Sequence, residues 1–267
     1  MDDIYEIHAL RYAHLERRSP ENFLGGDTHD VPMPLDYYVW LVRNRQRAVL
    51  VDTGFDEPMA KRRRRHIVRP VGEGLASLGL SPESIDTVVI THMHYDHAGN
   101  MPLFPRARFH VQDREVAFVT GRCMCHSLLR HSVEVEHVVD MVRMVFADRV
   151  QFHDGSAEIA PGIEVHHIGG HTPGIQAVRV RTRRGWVVLA SDASHFYAHM
   201  EQGRAFPVVS DVAAMLEGHH RLRALASSAA HVIPGHDPLV MSRYPASSDA
   251  LAGWVARLDA DPLGGSA

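Results

Sequence analysis

Val88-Val89-Ile90-Thr91-His92-Met93-His94-Tyr95-Asp96-His97-Ala98-Gly99-Asn100 sets four metal-capable side chains within six positions, directly behind an apolar run. His92 and His94 alternate with Met93, so in an extended segment leaving a strand both imidazoles point to one side. Asp96 and His97 follow where Ala98-Gly99-Asn100 signals a break, and the turn can present them to a second ion close to the first. The stretch predicts one patch that holds two cations. The competing explanation is chance, because the chain has 21 histidines and a lone histidine is ordinarily a surface or core residue.

The rest of the chain argues against chance. Gly169-Gly170-His171-Thr172-Pro173-Gly174, Ala190-Ser191-Asp192-Ala193-Ser194 and Val232-Ile233-Pro234-Gly235-His236-Asp237 each set a single potential ligand in a turn after an apolar, strand-like run. Ligands at strand ends are held by a rigid scaffold while their tips stay open to substrate.

With these residues the chain resembles the metallo-β-lactamase fold superfamily over most of its length. The H-x-H-x-D-H signature of that superfamily is matched by His92, His94, Asp96 and His97. Within it, the full set is similar to the N-acyl-homoserine lactonase branch of metal-dependent hydrolases. The resemblance implies an α/β fold, an αββα sandwich of two mixed β-sheets flanked by helices. It also implies that His92, His94 and His171 bind a first ion, that Asp96, His97 and His236 bind a second, and that Asp192 bridges them. Zinc β-lactamases use a cysteine ligand or lack the bridging carboxylate, so Asp192 argues against antibiotic hydrolysis. Zinc is the expected metal, although iron, manganese and cobalt accept the same thiolate-free donors. Asp52, after a buried strand, is expected to orient a ligand histidine from behind.

Two divalent ions a few ångströms apart lower the pKa of a shared water from about 15.7 toward 7, which supplies hydroxide without a dedicated general base. One ion polarises an ester carbonyl and the other holds the departing alkoxide. The resemblance therefore implies opening of a lactone ring, with N-acyl-homoserine lactones among the candidate substrates. Asp192 would orient the nucleophile and pass a proton to the leaving oxygen. Lactonases of this branch place a tyrosine three residues after the bridging aspartate; here that position is His195, with Tyr197 two further on. Both join Asp96 and Asp192 as candidate catalytic residues, and the change to histidine implies a different favoured lactone.

Two other activities share the seven ligands. A thioesterase resembling glyoxalase II is expected to add a C-terminal helical region, and only about thirty residues follow His236. A phosphodiesterase or nuclease needs a basic channel, for which Arg62-Arg63-Arg64-Arg65 is slender support. Four consecutive arginines on a helix point in all directions, so this run reads as a solvated helix end ahead of an anion site.

Composition agrees with one catalytic domain spanning residues 1–267. Hydrophobic content of 45% and charge of 22% are those of a globular chain. A net charge of −4 and a pI near 6.6 give no general attraction to nucleic acid or anionic membrane. No apolar run approaches the roughly 20 residues of a membrane span, and the acidic start Met1-Asp2-Asp3 is unlike a signal peptide. The expectation is a cytoplasmic monomer or homodimer acting on a small molecule. Cys123 and Cys125, separated by Met124, are too close for an unstrained disulfide and read as free thiols ahead of a soft metal site.

No internal repeat or low-complexity linker divides the chain. Strands are predicted at Tyr37 to Val42, Ala48 to Asp52, Thr87 to Ile90, Arg108 to Val111, Gly162 to Ile168, Gln176 to Arg181, Trp186 to Ala190 and His231 to Ile233. Polar Arg43 to Arg47 makes a hairpin of the first two. Helices are predicted over Glu73 to Leu78, over Asp113 to Val119 and from an Asp211 cap to about Ala226. The methionine-rich stretch 121–148 reads as a helical insertion, which either lines the pocket or fills core. Phe23, Leu24, Met33 and Tyr37 are candidates for the facing wall.

Overall fold

The computed structural model describes residues 3–264; Met1 and Asp2 of the acidic start, and residues 265–267, lie outside it. The strands are β1 (Glu6–Leu15), β2 (Leu35–Arg43), β3 (Ala48–Val51), β4 (His66–Ile67), β5 (Thr87–Val89), β6 (Arg108–Gln112), β7 (Val150–His153), β8 (Ser156–Ala160), β9 (Ile163–His167), β10 (Gln176–Thr182), β11 (Gly185–Ser191), β12 (Val232–Pro234) and β13 (Val255–Arg257). One sheet runs β13-β1-β2-β3-β5-β6-β7, with β4 paired to β1; the other runs β12-β11-β10-β9-β8. Both are mixed. β3, β5, β6 and β7 pair in parallel while β1 to β3 are antiparallel, and β11–β12 is the parallel pair of the second sheet.

Period-2 alternation sorts the side chains into two apolar layers. On β2, Tyr38, Trp40 and Val42 face the second sheet, where they pack with Val178, Val180 and Leu189. Tyr37, Val39 and Leu41 face the other way and pack with Met59, Leu75, Phe118 and Met141 of the helices Glu57–Arg63, Val71–Ser77, Asp113–Thr120 and Val135–Phe146. The helix Val212–Leu225 packs Leu222 into the apolar cluster of Trp40 from beside β11. Its cap is Asp211, whose carboxylate accepts the Ala214 N–H at 2.9 Å. Two mixed sheets flanked by helices are the expected architecture.

The predicted strands are found within a residue or two of their expected ends, and Cys123 and Cys125 are free thiols. β1 has no sequence-based counterpart although it pairs with β2 over ten residues. Its register shifts between Arg11 and Ala13, which breaks the alternation that marks a strand. In the stretch 121–148, short turns at Arg122–Cys125 and Ser127–Arg130 precede the helix Val135–Phe146. Met141 is fully buried and Met124 and Met144 pack on the same core, so these methionines fill core. Among the described residues no helix is long and apolar enough to cross a membrane.

Several histidines outside the ligand set are withdrawn from water, His8 and His199 fully and His110 in part. Burial holds His8, His110 and His199 down at about 4, with Arg43 and Arg257 adding to the effect at His8 and His153, stacked on His110, adding to it there. A folded-state pKa of about 4 against an unfolded value near 6.5 means that the unfolded chain binds more protons between those limits. Stability from these groups is therefore present above 6.5 and lost as pH falls toward 4. The urea midpoint is expected to drop between about pH 7 and about pH 5, and His110→Phe to lessen that drop. An identical drop in the variant would contradict the assignment.

Candidate metal centre

β5 ends at Val89, and the extended segment after it carries His92 and His94, while Asp96 and His97 occupy the short helix Tyr95–Ala98. His171 follows β9, Asp192 follows β11 and His236 follows β12. All seven are buried, and the structure brings them together in two groups, His92/His94/His171 and Asp96/His97/Asp192/His236. In the first group His171 Nε2 lies 3.1 Å from His92 Nε2 and 2.8 Å from His94 Nδ1. Asp192 faces both groups. Its Oδ2 is 3.4 Å from His171 Nε2 and 3.8 Å from His92 Nε2, and its Oδ1 is 3.0 Å from His236 Nε2 and 3.3 Å from His97 Nε2. Asp96 Oδ2 closes the second group at 3.5 Å from His97 Nε2 and 3.6 Å from His236 Nε2.

The outer ring nitrogens show which way the inner lone pairs point. His97 Nδ1 donates to Asp52 Oδ2 at 2.7 Å, His171 Nδ1 to the Val208 carbonyl at 2.6 Å, and His236 Nδ1 to the Asp36 carbonyl at 2.8 Å. A proton fixed on the outer nitrogen leaves Nε2 an acceptor aimed at the centre. Asp52 is itself held by the Thr91 N–H and hydroxyl, both at 2.8 Å, and the Thr91 hydroxyl shares a 2.8 Å bond with Ser191. Asp52 and Ser191 both adopt left-handed backbone, at φ 61° and 47°, which costs about 1–3 kcal/mol each and turns the chain sharply out of β3 and β11. Gly235 is required for a different reason: a Cβ there would come within 2.7 Å of Asp192 Oδ1 and the Ser191 carbonyl.

Electrostatics divides the two groups. Burial, reinforced by neighbouring imidazoles, lowers His92 and His94, and burial lowers His171 against the pull of Asp192. At His97 and His236 burial works the same way, but the carboxylates, led by Asp192, outweigh it and raise both. Asp192 is driven well below the usual carboxylate range because His236, His97 and His195 overcome its burial. Divalent ions fit this donor set. Ligand nitrogens on a tetrahedral zinc lie roughly 3.3 Å apart, close to the spacings in the first group. His97 Nε2 and Asp192 Oδ1 are buried without a hydrogen-bond partner, as oxygen and nitrogen ligands of an ion would be.

A cavity of about 320 Å³ opens onto His94, Asp96, His171, Asp192, His195 and His236. A larger open cleft, about 1010 Å³, is lined by none of these ligands. His195 stacks on Phe206 at 3.5 Å, and its Nε2 donates to Asp192 Oδ2 at 2.9 Å. Tyr197 is not brought to the cavity. Its ring is buried in the layer between the sheets beneath the Arg243 guanidinium, and its backbone N–H bonds Asp237. Of the four wall candidates, Tyr37 lines the cavity; Phe23 packs on His199, Met33 joins the core and Leu24 is exposed. The stretch 121–148 contributes His131 and Ser132 to the lining.

Two features escaped sequence reasoning. Arg63 and Arg65 line the cavity, which corrects the reading of the arginine run as solvated throughout. Arg64 caps the helix in left-handed conformation at φ 55°, so Arg62 and Arg64 face solvent while Arg63 and Arg65 turn inward. Glu115 is fully buried and accepts the Met93 N–H at 2.8 Å and the Thr172 hydroxyl at 2.6 Å, joining the first two ligand loops. Nothing in the helix pattern of Asp113–Thr120 marks it as special.

The profile of the Metallo-beta-lactamase superfamily matches residues 33–236, and the chain belongs to that superfamily. An N-acyl homoserine lactonase of Bacillus sp. is 26% identical over 184 residues, 62% of this chain and 68% of the relative. The N-acyl homoserine lactonase AiiB of Agrobacterium fabrum is 35% identical over 131 residues, 46% of this chain and 45% of that enzyme. Among solved structures, a quorum-quenching N-acyl homoserine lactone lactonase superposes with a TM-score of 0.73 at 22% identity, covering 89% of this chain and 94% of that one. AidC, a dizinc quorum-quenching lactonase, gives 0.69 at 15% identity over 88% of each chain. At these identities the structural likeness establishes the shared fold.

Asp52→Asn is expected to weaken the second ion about 10–100-fold, because it removes the acceptor that orients His97. Metal content after dialysis against a graded chelator series measures this, and two ions retained as in the parent would contradict it.

Proposed function

We propose that this member of the metallo-β-lactamase superfamily is a metal-dependent hydrolase that opens lactone rings, with N-acyl-homoserine lactones within its candidate substrate class. The observation that carries the reading is Asp192, which turns one oxygen to each ligand group at the floor of a cavity large enough for a small ester. The lactonase relatives and the fold they share with this chain support it. His92, His94 and His171 would hold one divalent ion and Asp96, His97 and His236 the other, with Asp192 between; zinc suits these donors. When bound, the ions supply Lewis acidity and a water acidified toward neutral pH.

The chain's own residues account for positioning and proton handling. Asp192 is ionised and accepts from His195 Nε2, so the pair forms a path from the ligand groups to the cavity. Burial holds His195 down at about 3 despite Asp192, which keeps the ring neutral at working pH. A neutral ring whose Nε2–H faces Asp192 presents Nδ1 as an acceptor, so His195 does not reproduce a tyrosine hydroxyl donor. Hydroxyl donors come instead from Tyr37 and Tyr95, which line the cavity with their oxygens 3.4 Å apart. They would orient the substrate carbonyl, while Asp192 would take up the proton of the attacking water and pass it to the ring oxygen as the acyl carbon–oxygen bond breaks, and ring opening keeps that oxygen tethered nearby.

Purified, metal-loaded protein should hydrolyse lactones in preference to S-lactoylglutathione and bis-p-nitrophenyl phosphate. Preferential turnover of either of those would replace the lactone assignment with a thioesterase or phosphodiesterase. Asp192→Asn is expected to lower turnover about 100-fold or more and to weaken metal retention. His195→Phe should lower turnover more than metal content; equal loss of both would make His195 structural.

A further inference from the structure

We propose that the substrate carries an anionic oxyacid substituent, a carboxylate or a phosphate, and that Arg65, set in place by Tyr95 and Arg63, selects it. The proposal rests on the cavity being the hydrolytic site, and within the lactone class it favours rings that bear such a group over unsubstituted N-acyl-homoserine lactones, which have none. It begins from the charges at one end of that cavity, where Arg17, Arg63 and Arg65 stand with Glu16 and Glu21, and Glu16 is turned to His14 at 3.2 Å. Glu134 is shared between Arg62 and Arg63, so one carboxylate serves two guanidinium groups. Arg17 has its own partner in Glu21 at 3.8 Å. Arg65 has none: among the described residues no carboxylate lies within 4.0 Å of its guanidinium, although it lines the cavity and is only half-exposed.

The group is also aimed. Arg65 Nε donates to the Tyr95 hydroxyl at 3.0 Å and Nη1 to the Arg63 carbonyl at 2.7 Å. Those two bonds fix the plane of the guanidinium and leave Nη2 free to donate, the arrangement that suits a planar oxyanion. Arg63 rests on the Tyr95 ring at 4.2 Å, which braces the same phenol from its face. Tyr95 sits between His94 and Asp96 in the chain, so Arg65 is one side chain removed from the metal ligands. The spacing suits a short molecule with its ester at the ligands and its anionic group at Arg65.

The remaining lining argues the same way. Among the described residues, Leu15, Leu35 and Val208 are its aliphatic members, a narrow surface for a long acyl chain. Covering Arg65 with hydrocarbon would bury an unpaired charge, which is strongly unfavourable, whereas an oxyanion there gains a charge-assisted hydrogen bond.

Binding and turnover test this separately. Calorimetry on zinc-loaded protein would compare butyrate with glutarate and with 3-phosphonopropionate, all of which can reach the ligands through one carboxylate. The wild type is expected to bind at least one dianion about tenfold or more tightly than butyrate, and Arg65→Met to bring that ratio toward one. Which dianion loses more in Arg65→Met tells carboxylate from phosphate recognition. If Arg65→Met does not fold by circular dichroism, Arg65→Lys carries the comparison, with a ratio reduced severalfold because the fork geometry is lost. A wild-type ratio near one, or a ratio that survives in Arg65→Met or is undiminished in Arg65→Lys, overturns the proposal. In turnover, a short lactone bearing a free carboxylate should outperform its methyl ester through a lower KM. No turnover of any lactone, with the dianion preference intact, would remove the lactone assignment and leave the anion site standing.

Discussion

The two oxygens of Asp192 are the constraint on which the rest depends. Five imidazoles and two carboxylates are withdrawn from water here, which is strongly unfavourable unless each finds a fixed partner. The protein meets the requirement from outside. Asp52, the Val208 carbonyl and the Asp36 carbonyl each accept a hydrogen bond from an outer ring N–H, and the inner nitrogens are left with lone pairs of the kind that suits a cation. Because one oxygen of Asp192 faces each group, an error in its placement would disturb both at once. The close approach of Gly235 to Asp192 and the left-handed turns at Asp52 and Ser191 follow from the same need for tolerance well under an ångström.

The convergence of these seven side chains was largely legible in the sequence because they sit in turns that interrupt apolar runs, and those signals are local. Asp52 was legible for the same reason. What stayed hidden was set by tertiary contact. β1 lies beside β2 in the large sheet, but its bulge at Arg11 to Ala13 spoils the period on which strand recognition rests. The arginine run was read as a uniform helix face, whereas one left-handed residue, Arg64, divides it into outward and inward pairs. Tyr197 lay close in sequence to Asp192, yet the helix Tyr197–Gln202 begins there and turns its ring into the layer between the sheets. Proximity along the chain was a poor guide once a helix intervened.

Charge is distributed unevenly around the cavity. Beneath it, carboxylates outweigh burial at His97 and His236, while His92, His94 and His171 stay easily neutral. At the opposite end, Arg63 and Arg65 bring positive charge that Glu134 offsets incompletely. With ions bound, an incoming molecule would meet positive charge at both ends, tempered by Glu16 and Glu21 at the arginine end, with a short apolar strip between them. Polarity of this kind favours orientation over raw affinity, since a substrate bound in reverse loses both interactions.

The hydrogen-bond chain from Asp52 through Thr91 to Ser191 joins the ends of strands from different sheets. His92, His94, Asp96 and His97 come from the first sheet, and His171, Asp192 and His236 from the second. During synthesis the earlier histidines leave the ribosome well before Asp192 does. Assembly of all seven side chains therefore waits on the docking of the later half of the chain onto the earlier.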